Sequence, residues 1–255
     1  MLLQGKKGLI VGVANKRSIA WAIAQAAHRE GARLCFTYQG ERLKESVGEL
    51  AQSLGGNPPL FECDVTQDAQ IDRAFAGLQE AFGSIDFLVH AVAFAKREDL
   101  EGDFLPTSRE GHRLALDVSS YSLTALAQRA VPLMPAGGSI VALTYYGAEK
   151  VIPRYNVMGV AKAALEASVR YLAFDVGPKK IRVNALSAGP VQTLSARGIS
   201  GFTDMMKIVE SKAPLRRNVE IGEVANAAVF LLSPLSSGIT GETLHVDCGY
   251  HILGI

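Results

Sequence analysis

Gly8-Leu9-Ile10-Val11-Gly12-Val13-Ala14-Asn15-Lys16-Arg17-Ser18-Ile19-Ala20 reads as a strand, a turn and the start of a helix. The apolar run from Gly8 to Gly12 is short and does not alternate, the pattern of a strand covered on both faces. Ser18 to Gly31 then carries Ile19, Ile23, Ala26 and Ala27 at helical spacing, with Gly31 as a stop. The unit repeats along the chain. Further strands are predicted at Arg33–Tyr38, Leu60–Val65, Ile85–His90, Ser139–Leu143, Ile181–Leu186 and Glu242–Val246. Helices are predicted at Glu41–Leu54, Gln67–Phe82, Ser108–Val131, Met158–Val176 and Glu220–Leu232. Strictly alternating strands and helices require crossovers, so the sheet is expected to be parallel with helices on both faces. The fold class is α/β, a doubly wound, Rossmann-type sheet of about seven strands in a single domain spanning 1–255. Ligands are expected beyond the carboxyl ends of the strands.

Composition narrows the function. The chain has 255 residues, 48% of them apolar, and a formal net charge of +1. That excludes a strongly basic nucleic-acid surface, and no run is long enough to span a membrane. Cys35, Cys63 and Cys248 lie too far apart for a metal or disulfide framework, which fits a reducing, cytoplasmic setting.

Four segments carry chemistry. The first turn holds only Gly12 where three glycines are usual, and Ser18 either caps the helix or donates to a phosphate. Gln39, after the second strand, is neither the acid that binds a ribose hydroxyl nor part of a basic pair that binds a 2′-phosphate. Asp64-Val65, after the third strand, either accepts from an adenine amino group or makes a turn. Tyr155 precedes Lys162 by seven positions, close to two helical turns, so both leave one face. A cation beside a phenol favours the phenolate, and the pair is expected to polarise a substrate oxygen. His90, His245 and Met158 are expected only to pack in the core.

In this order, together with His90-Ala-Val-Ala-Phe94, Ser187-Ala-Gly-Pro190 and Ile239-Thr-Gly-Glu-Thr-Leu-His-Val-Asp247, these segments resemble the short-chain dehydrogenase/reductase superfamily over nearly the whole chain. Ordinary members carry a serine thirteen residues before the tyrosine, where this chain has Ala142, and an asparagine in the long helix, where it has Asp117. A second tyrosine, Tyr145, stands ten residues before Tyr155. The run from Tyr145 to Lys162, with Phe36-Thr-Tyr-Gln39, Asp117 to Ser122 and Ser187 to Leu194, resembles the bacterial NADH-dependent enoyl-acyl-carrier-protein reductases.

That resemblance implies reduction of a trans-2-enoyl thioester on acyl carrier protein, the last step of fatty-acid elongation, in a cytoplasmic homotetramer. It implies Tyr155 as donor to the thioester oxygen and Lys162 at the nicotinamide ribose. Tyr145 is implied as an active-site residue, either an acyl-pocket wall or a proton-handling group. NAD would be held by Gly12, Ser18, Ile19, Gln39, Asp64, Val65, Val92, Lys162, Val191, Gln192, Thr193, Leu194 and Ser195. Ala95, Tyr145 and Tyr155 would touch substrate. Leu194 to Met206 is either a mobile lid or a surface helix pair, and the tail Ile252 to Ile255 fits an interface or a buried terminus.

Overall fold

Seven parallel strands form one sheet in the order β3-β2-β1-β4-β5-β6-β7. They are β1 (Lys7–Val11), β2 (Arg33–Tyr38), β3 (Leu60–Glu62), β4 (Phe87–His90), β5 (Gly138–Thr144), β6 (Ile181–Ala188) and β7 (Thr243–Val246). The computed structural model describes residues 1–193 and 201–254. The chain order reverses between β1 and β4, the switch point at which a doubly wound sheet opens a crevice at its carboxyl edge.

Each strand feeds both layers because successive side chains point to opposite faces. Ile10 joins one core with Phe36, Val89, Val141 and Leu186; helices α1 (Ile19–Arg29) and α2 (Gly40–Ser53) cover it. Leu9 and Val11 join the other with Leu88, Ile140 and Val183, beneath α3 (Asp68–Phe82). The helices α4 (Arg109–Leu116), α5 (Ser122–Ala130) and α6 (Asn156–Val176) follow β4 and β5. The described chain ends with α7 (Phe202–Lys212), α8 (Ile221–Leu232) and β7. α8 belongs with α1: its Val224, Ala228 and Val229 share the core of Trp21 and Ile23. None of the described helices is long and apolar enough to cross a membrane.

Several predicted bounds differ. The third strand ends at Glu62 rather than Val65. Asp64 Oδ1 accepts from the Thr66 N–H at 2.9 Å and from its hydroxyl at 2.8 Å, and that local turn replaces ladder pairing. The helix predicted from Ser108 to Val131 is interrupted at Asp117–Tyr121 by a wider, π-type turn. There Ser119 Oγ accepts from the Phe94 N–H at 3.0 Å and lies 3.2 Å from the Phe94 carbonyl. Ser122 Oγ donates to the Val118 carbonyl at 2.6 Å. α6 begins two residues earlier than predicted, at Asn156, which places Tyr155 at its N-terminal boundary.

Candidate active site

A cleft of about 370 Å³ lies where β1 to β4 end. Gly12 forms its floor with φ +108°, in the region that favours glycine. A Cβ there would sit 2.2 Å from the Ala91 carbonyl oxygen, so the β1 turn passes the β4 loop only without a side chain. Gln39, Asp64, Val65 and Val92 line the same cleft. Gln39 Nε2 donates to Asp64 Oδ2 at 3.0 Å, joining the ends of β2 and β3. Burial raises the Asp64 carboxyl, yet hydrogen bonds from the Thr66 N–H, Gln39 and the Thr66 hydroxyl outweigh it and hold the group below the usual carboxylate range. Sequence reasoning missed Tyr38, Leu43, Thr66 and Val118 on this wall. Thr66 carried a signal, since an aspartate two residues before a threonine favours a turn.

Ser18 caps α1. Its Oγ accepts from the Trp21 N–H at 3.3 Å and donates to the Asn15 carbonyl at 2.8 Å, which engages its proton. Ile19 starts α1 and packs on the core. Both therefore mark a helix N-terminus, where backbone N–H groups favour an anion.

Tyr155 sits between two non-glycine residues with positive φ, Arg154 at 66° and Asn156 at 39°. Such flanking geometry costs free energy and is concentrated at functional sites. Gly147 makes room for the phenol ring, because a Cβ there would lie 2.4 Å from Tyr155 Cδ1. Tyr145 meets that ring edge-on, with centroids 4.9 Å apart, and its hydroxyl donates to Met205 Sδ on α7 at 3.1 Å. Ala95, three residues beyond Val92, packs against the same small cluster as Tyr155, with Ala115, Val157, Met158 and Ala161. The loop after β4 thus contributes Val92 to the cleft and Ala95 to the cluster that Tyr155 packs against.

Lys162 is buried, and its Nζ donates to the Leu143 carbonyl on β5 at 2.7 Å. One turn on, the buried Glu166 accepts from Thr144 Oγ1 at 2.7 Å. The expectation that Lys162 would acidify Tyr155 is not met. Burial pushes the phenol up, and Tyr145 and Glu166 add to that. The ammonium is turned to the Leu143 carbonyl, so desolvation dominates. Tyr155 is held as a neutral phenol, a donor rather than a phenolate. Burial also draws Lys162 down to about 8, with Glu166 opposing.

Val191, Gln192 and Thr193 follow β6, and the Thr193 N–H donates to the Val191 carbonyl at 2.7 Å. Leu194 and Ser195 lie outside the described residues, as does most of the segment read as a lid; Phe202 onward is helical. His90 is fully buried, its Nε2 2.7 Å from Ser122 Oγ, and burial first and Lys162 second draw it down to about 3. It stays neutral, in keeping with a packing role. Met158 is likewise buried. His245 departs from expectation: it stacks on His251 at 4.1 Å and its Nε2 lies 2.8 Å from Glu149 Oε1, so it belongs to a polar cluster and not to the apolar core.

Comparison with known proteins is consistent over the whole chain. The family described as Enoyl-(Acyl carrier protein) reductase matches residues 12–251. The enoyl-acyl-carrier-protein reductase (NADH) of Bacillus subtilis is 56% identical over 98% of this chain and 97% of its own length. That of Rhizobium meliloti is 57% identical over 100% of this chain and 93% of its own. The Bacillus cereus enoyl-acyl carrier protein reductase, solved with NADP+ and indole naphthyridinone, superimposes with a TM-score of 0.98 at 52% identity, covering 100% of this chain and 99% of that one. The Anaplasma phagocytophilum enzyme, solved with NAD, gives 0.96 at 52% identity over 100% and 97%.

Proposed function

The chain belongs to the enoyl-acyl-carrier-protein reductase family, and from that premise we propose how its own residues carry the reaction, the NADH-dependent reduction of an enoyl thioester in fatty-acid synthesis. The cofactor site fits a dinucleotide: Gly12 leaves bare backbone at the switch point, and the N-terminus of α1 stands beside it. Gly12, Ser18 and Ile19 hold the pyrophosphate turn. Gln39 takes the adenosine ribose, Asp64 and Val65 the adenine, and Val92 covers the cofactor. Lys162 holds the nicotinamide ribose, and Val191, Gln192 and Thr193 close the nicotinamide end, a role that the sequence resemblance extends to Leu194 and Ser195. When bound, NADH would supply the hydride to C3 of the enoyl group, and a proton taken up at C2 would complete the reduction. As negative charge builds on the thioester oxygen, the neutral Tyr155 phenol donates a hydrogen bond to it. Ala95 and Tyr145 bound the acyl chain, and the Tyr145 bond to Met205 makes it a wall shared with α7.

The observation that carries this reading is that one loop after β4 lines the cleft with Val92 and, three residues on, packs Ala95 against the cluster that Tyr155 also joins. The test follows NADH absorbance with a crotonyl thioester, an acetoacetyl thioester and no acceptor. Oxidation is expected with the crotonyl thioester alone, and faster when the thioester is on acyl carrier protein. Equal rates with the acetoacetyl thioester would make the chain a ketone reductase.

NADH is expected to give a higher specificity constant than NADPH. Gln39 is already bonded to the Asp64 carboxylate, so a 2′-phosphate would meet negative charge and no basic pair. Each charge-assisted hydrogen bond forgone is worth about 1.5–3 kcal/mol, roughly tenfold or more in affinity. A higher constant with NADPH would refute the reading of Gln39 and point to Arg42.

We also propose that the chain works as a single 1–255 domain in a cytoplasmic homotetramer. The support is an exposed apolar face: Tyr121 on the wide turn, with Val160, Tyr171 and Phe174 on α6. Tyr171 is 77% and Phe174 84% exposed, more than a monomer's surface helix is expected to show. Sedimentation velocity is expected to give four copies; a monomer at micromolar concentration would contradict it.

A further inference from the structure

We propose that Glu166 is a positioning residue for the reaction, the fixed countercharge that keeps Lys162 in its working, protonated form inside the protein. The inference rests on the assignment of Lys162 to the cofactor ribose.

The geometry is a double clip. Lys162 and Glu166 are four residues apart on α6, hence on one face, and both are buried, at 5% and 7% exposure. They are anchored to successive residues of β5, Lys162 to the Leu143 carbonyl and Glu166 to the Thr144 hydroxyl. A buried carboxylate is costly unless something needs its charge. For bracing α6 against β5 a neutral glutamine would accept the Thr144 hydroxyl equally well. The carboxylate therefore has a second function, and the buried cation one turn away is the group that gains from it.

The surroundings agree. Besides Lys162, Glu166 faces Thr144 from β5, Glu149 from the turn after β5, His245 from β7 and Arg170 on its own helix. Lys162 faces Glu166 and His90. His90 is neutral above about 3 and contributes no charge in the working range. Burial raises the Glu166 carboxyl, against which the Thr144 hydrogen bond acts, and in its ionised form Glu166 is the anion that opposes the desolvation of Lys162. A lysine that binds through its ammonium is competent below its own pKa and loses competence as pH rises through it. Removing the countercharge lowers that pKa, so the loss should begin at lower pH.

The test is the pH dependence of NADH affinity and turnover in wild type, Glu166→Gln, Glu166→Asp and Lys162→Met, with NADH affinity read by fluorescence titration. Glu166→Gln keeps the acceptor for Thr144 and removes the charge. Its alkaline limb is expected to move down by about one pH unit, raising the Michaelis constant for NADH about fivefold near pH 8. Near pH 6.5 the two proteins should converge. Glu166→Asp, which keeps the charge one methylene shorter, should retain the wild-type alkaline limb even where its melting temperature falls. A Glu166→Gln profile that overlays wild type at every pH would overturn the inference. So would a uniform loss at every pH in Glu166→Gln and Glu166→Asp alike, because that is bracing alone. Lys162→Met separates the two levels. If it binds NADH as wild type does, the ribose assignment itself has failed; if it loses NADH while Glu166→Gln overlays wild type, only the role of Glu166 has.

Discussion

Tyr155→Phe is expected to lower turnover with a crotonyl thioester about a hundred- to a thousandfold while leaving NADH affinity close to wild type. The substitution removes one hydroxyl and keeps the ring. The ring already has its place, beside Gly147 and edge-on to Tyr145, so the fold loses no packing. What disappears is the donor aimed at the oxygen on which charge develops. Because burial holds this phenol far above its usual range, it stays a donor across the accessible pH range. The residual rate should therefore show no alkaline limb belonging to Tyr155 in either protein. Wild-type turnover in Tyr155→Phe would remove this residue from the reaction.

Lys162→Met should raise the Michaelis constant for NADH and lower turnover together, an effect that separates it from Tyr155→Phe. The thioether fills the buried stem's space and removes both charge and donors. The Leu143 carbonyl then loses its partner in a dry site, which costs about 1–3 kcal/mol of stability in addition. Lys162→Arg keeps charge and donors but brings a wide planar fork to a site built for a compact ammonium, so it should recover binding only in part. Fluorescence titration of NADH reads the binding effect, and thermal melting reads the stability cost. Unchanged NADH affinity in Lys162→Met, with turnover alone reduced, would contradict the ribose role.

Much of the fold was readable in the order of the residues. All seven strands were visible as short apolar runs, because strands covered on both faces cannot hide polar alternation. Their ends were less visible. The Asp64 turn shortened β3 through side-chain hydrogen bonds that compete with the ladder, and the serines of 117–122 accompany the break in a helix whose apolar spacing looked continuous. The site divides in the same way. Tyr155, Lys162, Gln39 and Asp64 could each be named from position along the chain. The contact between Gln39 and Asp64 depends on the register of β2 against β3, with Tyr38 opposite Glu62. The anchoring of Lys162 to Leu143 and of Glu166 to Thr144 depends on how α6 lies over β5. The direction of the Tyr155 shift is a property of depth, and depth cannot be read from a seven-residue spacing.

The wide turn at Asp117–Tyr121 acts as a phase shifter. A regular α-helix advances about 100° per residue, and a π-type turn takes up one residue more than the regular path. Everything after Tyr121 is therefore rotated by about that angle relative to a continuous helix. Before the turn, Gly111 must face Asp99, whose carboxylate occupies the space a Cβ would need. After it, Ser122 must face His90, and Leu123 and Leu126 must face the sheet. A continuous helix through 109–130 could align the first set or the second, but not both.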